Sequence, residues 1–222
     1  MDKTRTEAEE TQPAEILREY GPFDAASRVH GVTYDGANVW FAGGEKLQSF
    51  DPESGEPVRA IDVPCDAGTA FDGRYLFQLG EGHIRKIDPK TGQVVKTVPA
   101  PGDGGDSGLT WAEGFLWLGK FRGRMIHQLD PETGAVLRTL ESNRFVTGVT
   151  WVEGELWHGT MEGDSSDIRR IDPNDGRVLV RLTLPEGQSV SGLESDGGDL
   201  FYAGGGASRT VRAVKRPRRS RR

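Results

Sequence analysis

Cysteine is almost absent from this 222-residue chain: Cys65 stands alone, so no internal disulfide can form. Long hydrophobic runs are missing too, and no stretch approaches the ~20 apolar residues of a membrane-crossing helix. The opening segment, Met1 to Glu10, is polar and has no apolar core of a secretory signal. Residues 1–13 read as a disordered acidic segment, and the expectation is a cytoplasmic protein without a membrane partner. Positive charge is scarce except at one end. Lys215-Arg216-Pro217-Arg218-Arg219-Ser220-Arg221-Arg222 carries six positive charges, which leaves the rest of the chain at −12 against −6 for the whole. An acidic body excludes nucleic acid as its own partner, because phosphate binding needs a basic face. The tail, residues 215–222, is expected to be disordered and could contact polyanions.

Glycine, in contrast, is abundant and placed with a period. A Gly-aliphatic-Thr phrase recurs at Gly31-Val32-Thr33, Gly68-Thr69-Ala70, Gly108-Leu109-Thr110, Gly148-Val149-Thr150 and Gly192-Leu193-Glu194, with spacings of 37, 40, 40 and 44 residues. A second phrase recurs at Asp51-Pro52, Asp88-Pro89, Asp130-Pro131 and Asp172-Pro173, each with Gly four residues after the Asp. Proline preset for a type I turn, followed by Gly where the chain needs positive φ, makes this phrase a hairpin between strands. The Asp172-Pro173-Asn174-Asp175-Gly176 copy lacks the distal Glu of a calcium loop and reads as a turn like the others. Short β-type runs at a period near 40 indicate propeller blades of four strands. The fold class is all-β: a five-bladed β-propeller over residues 14–214 with four antiparallel strands per blade.

The fifth unit ends one strand short. Ala14 to Pro22, with Ile16-Leu17-Arg18, copies the aliphatic-aliphatic-Arg pattern of the fourth strands and closes the last blade, which removes an open edge. Trp40, Phe77, Trp117, Trp157 and Phe201 share one repeat position and belong to the packing between blades.

These motifs resemble the five-bladed propellers of plant and bacterial glutaminyl cyclases over residues 14–214, and more loosely the streptogramin lyases and related lactonase-like propellers. The resemblance implies an aminoacyl cyclotransferase acting on glutaminyl peptides. It also implies a catalytic Glu just after the second strand of the first blade, within a Tyr-Glu-Ser-like segment. Here that stretch is Val39-Trp40-Phe41-Ala42-Gly43-Gly44-Glu45, with the carboxylate of Glu45 a few residues later, at the start of the next strand.

The repeat is its own control. Before the Gly stand Ala67, Ser107, Thr147 and Ser191, but His30 in the first unit; the third residue is Thr33, Ala70, Thr110 and Thr150, but Glu194 in the last. These departures fall on neighbouring blades and name His30 and Glu194 as candidate catalytic residues, His30 as a general base or metal ligand. Loops on the same face add Arg28, Glu45, Glu81, His83, Asp106, Lys120, Arg122, Arg144 and Glu162 as candidate substrate contacts. His158 reads as a core residue, and Cys65 as a small buried thiol opening the next blade. The ligand is a small molecule or a peptide N-terminus. Three classes stay open: a cyclotransferase without a cofactor, a lyase or lactonase using a divalent cation such as Mg or Ca, and a non-catalytic interaction scaffold.

Overall fold

The computed structural model describes residues 9–102 and 104–218. Among them there are only strands and turns, arranged as five blades. Blade 1 comprises Val32–Tyr34, Val39–Ala42, Gly44–Phe50 and Pro57–Cys65, and blade 2 comprises Thr69–Phe71, Leu76–Gly80, His83–Ile87 and Val94–Pro99. Blade 3 is Asp106–Ala112, Phe115–Lys120, Met125–Leu129 and Val136–Glu141; blade 4 is Phe145–Val152, Glu155–Glu162, Ser165–Ile171 and Val178–Thr183. Blade 5 takes Leu193–Ser195, Leu200–Gly204 and Val211–Lys215 from the end of the chain and Ile16–Tyr20 from its beginning. Tyr20 lies opposite Val211 and Ile16 opposite Val214 in antiparallel register, so the expected closure is present.

The recurring glycines explain how five sheets meet at one axis. A Cβ on Gly31 would come within 2.5 Å of Ala67 O in blade 2, and one on Gly108 within 2.5 Å of Val149 N in blade 4. A Cβ on Gly192 would lie 2.7 Å from His30 O, which completes the ring back to blade 1. Each blade's innermost strand therefore rests on the bare backbone of the next, and only glycine allows that approach. Outside this ring the aromatic position fills the space between blades: Trp157 and Phe201 face each other at 5.0 Å, and Phe77 stacks on Trp111 of the following blade at 5.4 Å.

The Asp-Pro turns are built alike. Gly55, Gly92, Gly134 and Gly176 all have φ between +76° and +84°, and each donates its N–H to the Asp four residues earlier. Asp172 accepts N–H of Asn174 at 2.9 Å, so this copy is a turn like its siblings. The basic residue of the outer strands clamps the neighbouring turn. Arg18 donates to the carbonyls of Pro52, Glu53 and Ser54, Arg138 to that of Pro173, and Lys96 to the carboxylate of Glu132.

Two expectations about the ends need correction. Glu10–Pro13, expected to be disordered, is a strand lying parallel to Val178–Thr183 on the outer edge of blade 4, and Glu9 pairs with Arg181 at 2.7 Å. Its backbone groups are satisfied by an edge that is open in the other blades, which outweighs the polar composition. The basic tail is likewise not wholly free: Arg216 is buried against Glu153 at 2.7 Å and Gly198 O, and Arg218 pairs with Asp199. The acidic body supplies these partners. Residues 1–8 and 219–222, also covered by the two expectations, lie outside the described residues. No helix among the described residues is long and apolar enough to cross a membrane.

Candidate functional site

The residue preceding each ring glycine points to one mouth of the axis. His30, Ala67, Ser107, Thr147 and Ser191, one from each blade, line a single cavity of about 330 Å³. Ser107 donates to Val146 O at 2.8 Å and Ser191 to Val29 O, each bonding the next blade. Arg28, Asp66, Asp106 and Ser189 add polar groups around the rim, and Phe121 and Met161 form an apolar wall. Phe121 is held by stacking on Phe145 at 4.8 Å.

The polar groups here divide by whether the protein already uses them. Lys120, expected to contact substrate, is buried and donates to Gly104 O at 2.7 Å, Gly102 O at 3.2 Å and Asp106 at 2.8 Å. It ties Gly102 and Gly104 to Asp106 and is not free to meet a ligand. Arg144 is committed to Asp167 at 2.7 Å and to Ser165, and Glu162 to Arg124 at 3.0 Å. Asp167 also binds the fully buried Arg169, so this cluster is a structural ion network with its charges mutually answered. Arg28, His30 and Asp66 are different: among the described residues their side chains have no hydrogen bond or ion pair within the protein, yet all three face the cavity.

Electrostatics set the state of the histidine. Burial, and then the Arg28 guanidinium, push the His30 pKa below its ordinary 6.5, while Asp66 acts in the opposite direction. His30 is thus neutral at physiological pH, the form that can accept a proton.

Glu194 does not line the mouth. It is buried in the channel among the threonines of the same repeat position, accepting from Thr33 at 3.0 Å, Thr110 at 3.4 Å, Thr150, and the N–H of Ser195 at 3.0 Å. Burial pushes its pKa up to about 7 despite these donors. Blade 2 has Ala70 at this repeat position and so brings no hydroxyl there.

The remaining candidates are scattered. Glu45 lies exposed on the third strand of blade 1, and Arg122 is exposed on the loop after Lys120. Glu81 pairs with Arg85 at 2.8 Å, and the His83 ring meets Glu81 O at 2.9 Å. Cys65 ends the fourth strand of blade 1, where it was expected to open blade 2, and burial raises its thiol to about 11. His158 is a core residue, its pKa lowered to about 4 by burial and Arg169. Asp66, Phe121, Met161 and Ser189 were missed in the sequence; Asp66 sits one place before the aligned residue Ala67, and that adjacency to His30's row was the available signal. A divalent ion would need a converging donor set, and no three His, Cys, Asp or Glu side chains among the described residues form one.

The fold has solved counterparts. A glutaminyl cyclase from Myxococcus xanthus superposes with a TM-score of 0.78 at 18% identity, covering 94% of this chain and 98% of that one. A chain from a crystal structure of the mitotic checkpoint complex superposes with a TM-score of 0.54 at 14% identity, over 86% of this chain and 77% of the other. No protein-family model and no curated protein sequence matches the chain. The likenesses establish the propeller fold.

Proposed function

We propose that the axial mouth binds the N-terminal residue of a glutaminyl peptide and cyclises it, releasing ammonia. The observation that carries this reading is the convergence of Arg28, His30 and Asp66, whose side chains have no hydrogen bond or ion pair among the described residues, in one cavity of about 330 Å³. That volume lies at the small end of ligand pockets and suits one amino-acid residue. The fold likeness to a glutaminyl cyclase supports the same direction.

The chemistry follows from the three groups. Asp66 holds the α-amino group and orients it. The amine nitrogen attacks the carbonyl carbon of the side-chain amide; a C–N bond forms, and the bond to the amide nitrogen breaks. Arg28 donates to the carbonyl oxygen, where negative charge grows in the transition state. Neutral His30 takes the proton shed by the amine and delivers it to the departing nitrogen, which leaves as ammonia. Phe121 and Met161 cover the side chain and exclude water.

Incubation with a Gln-initiated peptide tests this: ammonia is released and the peptide loses one ammonia by mass, and addition of a chelator leaves the rate unchanged. Absence of ammonia release from any Gln-initiated peptide contradicts the reading. Abolition by the chelator points to the metal-assisted alternative.

A further inference from the structure

Beside the axial mouth runs a second depression, a groove of about 450 Å³ between blades 1 and 2. Its floor is Val63, Pro64 and the buried Cys65, and its walls carry Glu45, Asp62, Asp66 and Glu81. Asp66 belongs to both spaces and stands at the threshold between them. Four carboxylates line the groove, and only two of them have cations: Lys46 pairs with Asp62 at 3.1 Å and Arg85 with Glu81 at 2.8 Å. Glu45 and Asp66 are unpaired among the described residues.

We infer that this groove receives the peptide chain downstream of the N-terminal residue, and that it selects basic side chains there. The inference rests on the reading of the mouth as a peptide-terminus site. Its geometry follows from the covalent structure of an N-terminal residue. With the α-amino group at Asp66, the side chain enters the axial cavity towards Arg28 and His30. The carbonyl carbon, attached to the same Cα, then directs the rest of the chain away from the cavity, and the adjoining space is the groove. The apolar floor packs the stems of Lys or Arg, and with Asp66 taken by the α-amino group the unpaired carboxylate of Glu45 attracts their heads. An acidic downstream sequence meets repulsion at the same place.

The test compares three peptide amides, Gln-Lys-Arg-Ala, Gln-Ala-Ala-Ala and Gln-Glu-Asp-Ala, by steady-state turnover and by fluorescence-detected binding. Exposed ion pairs are individually weak, so the expected KM rises roughly three- to tenfold from the basic to the neutral peptide and again to the acidic one. The differences shrink as salt is raised. Glu45→Gln brings the three KM values together, and Glu45→Lys reverses their order. Glu45 is exposed, so both variants fold. Turnover of all three peptides with equal KM overturns the groove and leaves the cyclase reading standing. Selective binding of the basic peptide without turnover, lost in Glu45→Lys, overturns the cyclase reading and leaves the groove standing. Absence of both binding and turnover overturns both.

Discussion

Thr33 in blade 1 donates its hydroxyl to Glu194 Oε2 in blade 5 at 3.0 Å, across the junction between the last blade and the first. Thr110 and Thr150 reach the same carboxyl group from blades 3 and 4. The axis of this propeller is therefore crossed by one ionisable group held from several blades, and its ionisation is tied to the stability of the ring.

The sign of that coupling is fixed by the raised pKa. Folding lifts Glu194 from 4.5 to about 7, so the folded state keeps a proton that the unfolded chain loses. Its stabilising contribution is complete below about pH 4.5 and disappears as pH rises to about 7, a change of about 3 kcal/mol. Glu194→Gln keeps the shape without the charge. Urea unfolding should show this variant equal to the parent at pH 4.5 and more stable by up to about 3 kcal/mol at pH 8. A difference that does not vary with pH would show that Glu194 does not titrate there.

His158 acts in the other direction. Its pKa falls from 6.5 to about 4 on folding, so stability is present above pH 6.5 and is lost as pH falls towards 4. Between about pH 4.5 and 6.5 the two groups oppose each other, and the parent protein should be nearly flat there. Glu194→Gln exposes the His158 slope, with stability falling as the medium is acidified; His158→Leu exposes the Glu194 slope, with stability rising. Parallel profiles for the two variants would refute the assignment.

The glycine ring predicts a difference between two Gly→Ala substitutions. In Gly108→Ala the new methyl meets the backbone of Val149 and Gly148, whereas Gly36 has φ of +93° and open space around it. Thermal or urea unfolding should show a loss of about 3 kcal/mol for Gly108→Ala, the upper end of the usual cost of overpacking, because the methyl meets backbone. For Gly36→Ala the loss should be about 1–2 kcal/mol, from backbone strain alone. Equal costs would mean that the ring is not closely packed.

Lys120 gives a fourth test. Replacing it by Met frees the carbonyls of Gly102 and Gly104 and leaves Asp106 buried without its cation. A loss of about 3 kcal/mol is expected, with Lys120→Met/Asp106→Asn recovering part of it. Because the same loop edges the mouth, KM should rise more than kcat falls. A variant with unchanged stability would show that the loop is held by something else.

The chain ends can be trimmed in steps. Deleting residues 1–13 removes the parallel strand on blade 4 and the Glu9–Arg181 pair, and should lower the melting temperature modestly. Deleting 1–22 removes the closing strand and exposes the edge of blade 5, so aggregation or loss of the cooperative transition is expected. Identical melting temperatures for the two truncations would contradict the closure.

The propeller was legible because its determinants are local and repeated: Gly108 and its four counterparts, the Asp-Pro turns, and Ile16-Leu17-Arg18 copying the outer strands. His30 and Glu194 were legible as departures from that repeat. What could not be read was the environment of each charged side chain. Lys120 and Arg144 resemble ligand contacts in sequence, yet Asp106 and Asp167 neutralise them through contacts that only the folded geometry creates. Asp66 was overlooked for the converse reason, since nothing in the repeat distinguishes a turn carboxylate from one left unpaired at a cavity. The strand Glu10–Pro13 escaped notice because its pairing depends on the bare edge of a blade some 170 residues away.

The central claim, that the mouth around His30 is a working site, is tested most directly by one variant measured two ways. His30→Ser restores the residue type that Ser107 and Ser191 occupy in the same row. The account predicts a melting temperature at or above that of the parent, together with at least ~100-fold slower ammonia release from a Gln-initiated peptide, the usual scale for loss of a general base. A lowered melting temperature with turnover reduced only in proportion would make His30 a packing residue and contradict the account.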